Sequence, residues 1–464
     1  MFKLKPLIIS FALATTISSH VFAANTETNR NKLPEIGSAG VSVLSIEKER
    51  QIGGEMMRQI RASQPVLNDP VLTEYINDLG NRMVRNAKDV NYSFEFFVIR
   101  NEELNAFAFF GGHIAIHSGL ITTANTESEL ASVVAHEISH VTQRHLARRL
   151  ESQNKAQPLT MAAMVSSVLL TLINPSVGLA ALSTTMAASQ QAGINYTRGN
   201  EQEADRVGIM LLANSGFNPQ GAPDFFAIMA EKYRYKSKPP AMLLTHPLPE
   251  SRIADARIRA QNFSPRPLAP NLQFELAKAR IMARYEGNAK DNIINFQQSL
   301  DKKRYGIEAA AQYGLALSHY ENKDFQTAIT QLEALLRDDN KNLFYVDALT
   351  DAYIAVKAFD KAITMLAELN LLMPNNQVVT LNYANVLNEA EQYSKAETLL
   401  QNFLVISPKN FIAQDLLTQV YRKQDKMALM HATKAEVYAL LGAYPKAVDE
   451  LQTAYNFVED NPLL

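Results

Sequence analysis

The chain reads as mainly α, with an N-terminal α+β domain built around a small sheet and then an α-solenoid. Three observations predict this. His136-Glu137-Ile138-Ser139-His140 lies on an apolar stripe at helical spacing made by Leu130, Val133, Val134, Ile138 and Val141. Short alternating runs precede it, with Tyr92, Phe94, Phe96 and Val98 the clearest. Downstream, columns of residues recur every 34 positions.

Taken in order, the chain begins with Lys3 and Lys5, an apolar run over 7–17, and Val21-Phe22-Ala23. That is the pattern of a secretory signal over 1–23, with cleavage expected after Ala23. The apolar run is short for a span of ~20 residues, so the mature chain is expected to be soluble and exported. Among the 464 residues there is no cysteine, which excludes thiolate metal sites, disulfides, a cysteine nucleophile and a lipid-modified N-terminal cysteine. The formal net charge is -2 and no basic run is interleaved with aromatics, so no nucleic-acid partner is expected.

A first domain is expected over 24–262. Residues 24–45 form a polar lead-in, and 46–88 carry helical periodicity. Strands follow around Tyr92 to Val98, over Asn105-Ala106-Phe107-Ala108-Phe109 and over His113-Ile114-Ala115-Ile116-His117, with Gly111-Gly112 as a turn. His113 and His117 share a strand face, and an ordinary structural role is favoured for both. The motif helix should start near Glu127. Residues 156–197 contain no charged side chain; they read as packed helices or as a lid that makes peripheral contact with a membrane.

On a helix, His136 and His140 leave the same face one turn apart and can bind one metal ion. Glu137 beside them can take a proton from a water that the metal activates. A buried histidine pair needs partners, and zinc meets that need. A third protein ligand is required. Glu201 and Asp205, four apart, share a helix face that Gly208 continues, and Gly208 would let that helix approach the motif helix closely. Glu201 can be the third ligand, with Glu203 the weaker alternative because it points about 160° away on a regular helix. Asp205 can accept the free ring N–H of a ligand histidine and fix its tautomer.

Three prolines near 263–271 suggest a semi-rigid linker. Over 272–464, Phe325, Phe359 and Tyr393 keep the 34-residue interval, as do Ala328, Ala362 and Ala396, and Leu332, Leu366 and Leu400. Tyr444, Ala447 and Leu451 restore the pattern after 17 extra residues, which should form one extra helix over 411–427. Small residues at helix crossings in this period resemble tetratricopeptide repeats. The expected units are 309–342, 343–376, 377–410 and 428–461, with a degenerate first unit near 275–308.

H-E-x-x-H, a long insert and then E-x-x-x-D resemble the HtpX/Oma-type gluzincin metallopeptidases. Asn105-Ala106-Phe107-Ala108, Gly111-Gly112, Ser118-Gly119-Leu120 and His246-Pro247-Leu248-Pro249-Glu250-Ser251-Arg252 are similar to that family too. The resemblance implies a zincin-like metallopeptidase domain with one Zn²⁺ per chain held by His136, His140 and Glu201. It also gives Glu137, Asp205, His246 and Arg252 catalytic roles, with His246 or Arg252 contacting the oxyanion. With the leader and repeats, the chain resembles periplasmic proteases that also act as chaperones. The resemblance implies degradation of misassembled outer-membrane proteins and assistance to their assembly, with the repeats binding these clients and the assembly machinery, and a monomer is expected. The competing expectation is a repeat-based scaffold with latent proteolysis. His246 sits on a loop between prolines and could swing in as a fourth metal ligand, displacing the water and holding the enzyme latent.

Overall fold

The computed structural model describes residues 44–154, 190–234, 241–264 and 267–459. The expected leader over 1–23 and positions 156–189 of the charge-free stretch lie outside them. The described chain is mainly helical with one small sheet, as the sequence predicts.

The helical stretch expected over 46–88 is two helices, α1 (Ile46–Ser63) and α2 (Pro70–Val84). Pro65 forbids Gln64 the helical region, and Gln64 adopts φ -112°, ψ 149°. Asp69 then caps α2 by accepting from the Val71 and Leu72 amides, with Pro70 in the first turn where no N–H is needed.

The sheet joins β1 (Glu95–Ile99), β2 (Ala106–Phe109) and β3 (His113–His117) in the order β1-β3-β2. β1 runs parallel and β2 antiparallel to β3, so β2 is an edge. Gly111 and Gly112 have φ of 81° and 86° at the turn between β2 and β3, a region that side chains with a Cβ avoid. Strand alternation sends Phe96, Val98, Ile114 and Ile116 into the core shared with α2 and the motif helix. Phe97, Phe107, Phe109 and Ala115 pack on the other side with Met56, Met57 and Ile60 of α1.

After α3 (Ser118–Thr123), Thr126 caps the motif helix α4 (Glu127–Thr142), which is buried on nearly every face. Arg144, with φ 52°, ends α4 and redirects the chain into α5 (His145–Asn154). Then come α6 (Gln190–Asn214), α7 (Gly221–Tyr233), α8 (Ala241–Thr245) and α9 (Glu250–Gln261). α6 lies against α4.

Helical pairs follow, α10 (Leu272–Arg284) with α11 (Ala289–Asp301) and α12 (Glu308–Glu321) with α13 (Phe325–Asp338). α14 (Leu343–Ala355) pairs with α15 (Phe359–Leu372), and α16 (Gln377–Glu389) with α17 (Tyr393–Ile406). The half-period is one helix, α18 (Phe411–Lys423), before α19 (Met427–Leu440) and α20 (Tyr444–Glu459). Phe325, Phe359, Tyr393 and Tyr444 each open a second helix; Ala328, Ala362, Ala396, Leu332, Leu366 and Leu400, one and two turns further on, are fully buried where neighbouring helices cross, whereas Leu451 in the last helix is exposed.

One apolar core runs from α2 and α4 through α10 as far as α16. Within it Arg280 is buried, with Nε 2.6 Å from Asp69 Oδ2 and Nη2 2.6 Å from Asp347 Oδ2. The Tyr313 hydroxyl accepts from its Nη1 at 2.9 Å. Asp69 thus caps a helix of the first domain and anchors the first repeat.

Candidate active site

α4 presents His136 and His140 on one face, with their Nε2 atoms 3.0 Å apart. α6 brings Glu201 to them, Oε2 lying 3.3 Å from His136 Nε2 and Oε1 3.4 Å from His140 Nε2. The approach depends on Gly208, where a Cβ would sit 3.2 Å from the His136 backbone. The segment after α8 carries in His246, with Nδ1 3.1 Å from both Glu201 oxygens and 3.4 Å from His136 Nε2. Donor atoms of His136, His140, Glu201 and His246 all lie within 4.8 Å of one another.

Glu137 projects towards the same cluster. Its side chain is 1% exposed, and Oε1 lies 3.6 Å from His246 Nε2 with no hydrogen-bond partner. Burial pushes its carboxyl above the ordinary carboxylate range, against the pull of His246 and His136. A backbone hydrogen bond from Ala108 ties it to the β2 edge.

Behind the donors, Asp205 Oδ1 lies 3.0 Å from His136 Nδ1. A proton there leaves the Nε2 lone pair facing the cluster. Burial opposes a charge on His136, yet hydrogen bonds to Asp205 and Glu201 raise its pKa to about 10. Burial holds His140 well below the usual histidine range. For Glu201, burial is outweighed by His246 and His140, which keep it well below the usual carboxylate range.

Arg252, from α9, is buried beneath the carboxylates. Nε and Nη2 donate to Asp205 at 2.7 and 2.8 Å, and Nη1 lies 2.9 Å from Glu201 Oε2 and donates to the Pro247 carbonyl at 2.6 Å. This guanidinium is occupied in holding Asp205, Glu201 and the His246 loop. His113 pairs with Glu95 instead of joining the cluster, and His117 stays buried in β3 outside it.

Glu203, the weaker alternative for the third ligand, lies outside the donor cluster. It meets His145 Nε2 at 3.1 Å and Arg148 Nη1 at 2.8 Å, and His145 Nδ1 lies 2.8 Å from His140 Nδ1. The sequence reading missed His145. Its only signal is a histidine five places beyond His140 and off the motif helix.

The donor set fits a metal ion: imidazole nitrogens and a carboxylate on separate helices, with the His136 tautomer set from behind and a partnerless carboxylate oxygen on Glu137 aimed inward. Fold and site together define a metallopeptidase domain joined to helical repeats. Residues 70–260 match Peptidase family M48. A relative in Vibrio cholerae is 45% identical over 448 residues, 96% of this chain and 93% of the relative. The Beta-barrel assembly-enhancing proteases of Yersinia pestis and Escherichia coli K12 are each 40% identical, covering 96% and 98% of this chain and 93% of each relative. The chain belongs to this family of metalloproteases.

Proposed function

We propose that the chain is a periplasmic zinc endopeptidase that cleaves misassembled outer-membrane β-barrel proteins and assists the assembly of others. The observation that carries the reading is the cluster of His136, His140, Glu201 and His246 with Glu137 against it. Imidazole and carboxylate donors without a thiolate suit Zn²⁺ in an oxidising compartment. A zinc ion held by His136, His140 and Glu201 supplies a Lewis acid that acidifies water and polarises a carbonyl. Glu137, buried with one oxygen aimed into the cluster, takes the proton from the attacking water and returns it to the leaving amine. Asp205 keeps His136 in the ligating tautomer, and Arg252 holds Asp205 and Glu201 in place. Because β2 is an edge strand tied to Glu137 through Ala108, an extended substrate pairing along it passes the base.

His246 occupies the fourth donor position and closes the site, so the resting enzyme is latent. His246→Ala should raise casein cleavage about tenfold, the gain from opening a site that is competent roughly a tenth of the time. A fall would instead make His246 an oxyanion contact, and an unchanged rate would remove both roles.

Client binding by the repeats accompanies proteolysis in this reading. Leu371 and Val405 are 83% and 82% exposed at equivalent places in successive repeats, side chains that an apolar client could cover. Among the described residues no helix is long and apolar enough to cross a membrane.

A further inference from the structure

We propose that Glu203 and His145 form a relay that sets the tautomer of His140 and so strengthens its hold on the metal. The inference deepens the proposed zinc site and rests on that reading.

The two ring nitrogens of His140 face different partners. Nε2 lies in the donor cluster, and Nδ1 is 2.8 Å from Nδ1 of His145. Only one proton fits between two Nδ1 atoms at that separation. Which ring owns it is decided one bond further on. His145 Nε2 lies 3.1 Å from Glu203 Oε2, an acceptor that also takes a hydrogen bond from Arg148 Nη1 at 2.8 Å. Facing a carboxylate, His145 Nε2 is the protonated nitrogen. Neutral His145 then has a bare Nδ1, which accepts from His140 Nδ1–H, and the Nε2 lone pair of His140 is left for the metal.

The need for an intermediary follows from helix geometry. Glu201, Glu203 and Asp205 all lie on α6. Glu201 and Asp205 share the face towards α4, so Asp205 reaches His136 Nδ1 directly at 3.0 Å. Glu203 is rotated from Glu201 by about 200° on a regular helix and cannot reach His140 itself. Placed at the start of α5 by the turn at Arg144, the His145 ring spans that gap. Each motif histidine thus has a carboxylate of the same helix behind it, one in direct contact and one through an imidazole.

The test measures zinc affinity of the full-length protein by competition with a chromophoric chelator, alongside thermal unfolding of the metal-free protein. His145→Phe keeps the ring volume and removes the acceptor; affinity should fall about 10–100-fold. His145→Asn restores an acceptor near the position of Nδ1, and affinity should return to within about threefold of the parent. Glu203→Leu should weaken binding less than His145→Phe. Unfolding of the metal-free variants should not follow this order. His140-dependent zinc uptake that is indifferent to His145→Phe would overturn the relay alone, as would an Asn variant that falls as far as Phe. A parent protein that takes up no zinc, or takes it up independently of His140, would overturn the proposed site and the relay with it.

Discussion

Glu137→Gln should abolish peptide cleavage and leave metal uptake intact. The substitution preserves shape and removes only the capacity to accept and return a proton. General-base catalysis by a positioned carboxylate contributes about 10²–10⁴-fold, equivalent to about 3–5 kcal/mol of barrier. Glu137 is not one of the four clustered donors, and its inward oxygen makes no hydrogen bond that an amide would break. Gln matches Glu in size and keeps a carbonyl oxygen as acceptor, so the substitution should not loosen the core. The check is twofold: turnover of casein or a denatured outer-membrane protein, and metal content per chain after gel filtration. Cleavage at the parental rate would remove Glu137 from the mechanism. Loss of metal together with activity would make it a ligand or a structural prop.

Arg280→Ala should cost about 3–5 kcal/mol, because it strands two carboxylates in the interior. Asp69 and Asp347 are both nearly inaccessible and each lies 2.6 Å from this guanidinium. For Asp69, burial would raise the pKa, but the charge and hydrogen bond of Arg280 lower it. Burial already dominates at Asp347, which is raised. Removing Arg280 leaves burial opposed by Tyr285 and Arg284 at Asp69 and by Arg284 at Asp347, so both pKa values should rise. The penalty is then full above their raised folded pKa values and shrinks as pH falls towards the unfolded value of ~3.9, where both can enter the core neutral. Asp69 is also the cap of α2, so the damage should reach the packing between α2 and the repeats. Urea unfolding at pH 7 and pH 4.5 measures this. A loss under about 1 kcal/mol at pH 7 would show that the network is dispensable.

Much of the fold was legible because it is local. The columns at Ala328, Ala362 and Ala396 mark helix crossings, since only a small side chain lets two helix axes come that close. α4 begins at Glu127, one turn before Leu130 opens its apolar stripe. The break between α1 and α2 was also written in the chain, in Gln64-Pro65 and Asp69-Pro70, but helical periodicity on both sides masked it. Arg280 carried no mark: a lone arginine on a repeat helix reads as surface until Asp69, 211 positions away, is seen to meet it.

For the site, the His136, Glu137 and His140 constellation was readable from spacing, because i and i+4 share a helix face whatever the helix packs against. Spacing also put Glu201 and Asp205 on one face of their own helix. Only the packing of the helices shows that this face meets α4, that His246 lies against Glu201, that Arg252 lies beneath the carboxylates, and that His145 stands between Glu203 and His140. Those outcomes depend on the relative placement of α4, α5, α6, α8 and α9. Helical periodicity specifies which side chains share a face; it carries no information about which face of which distant helix will come to lie opposite.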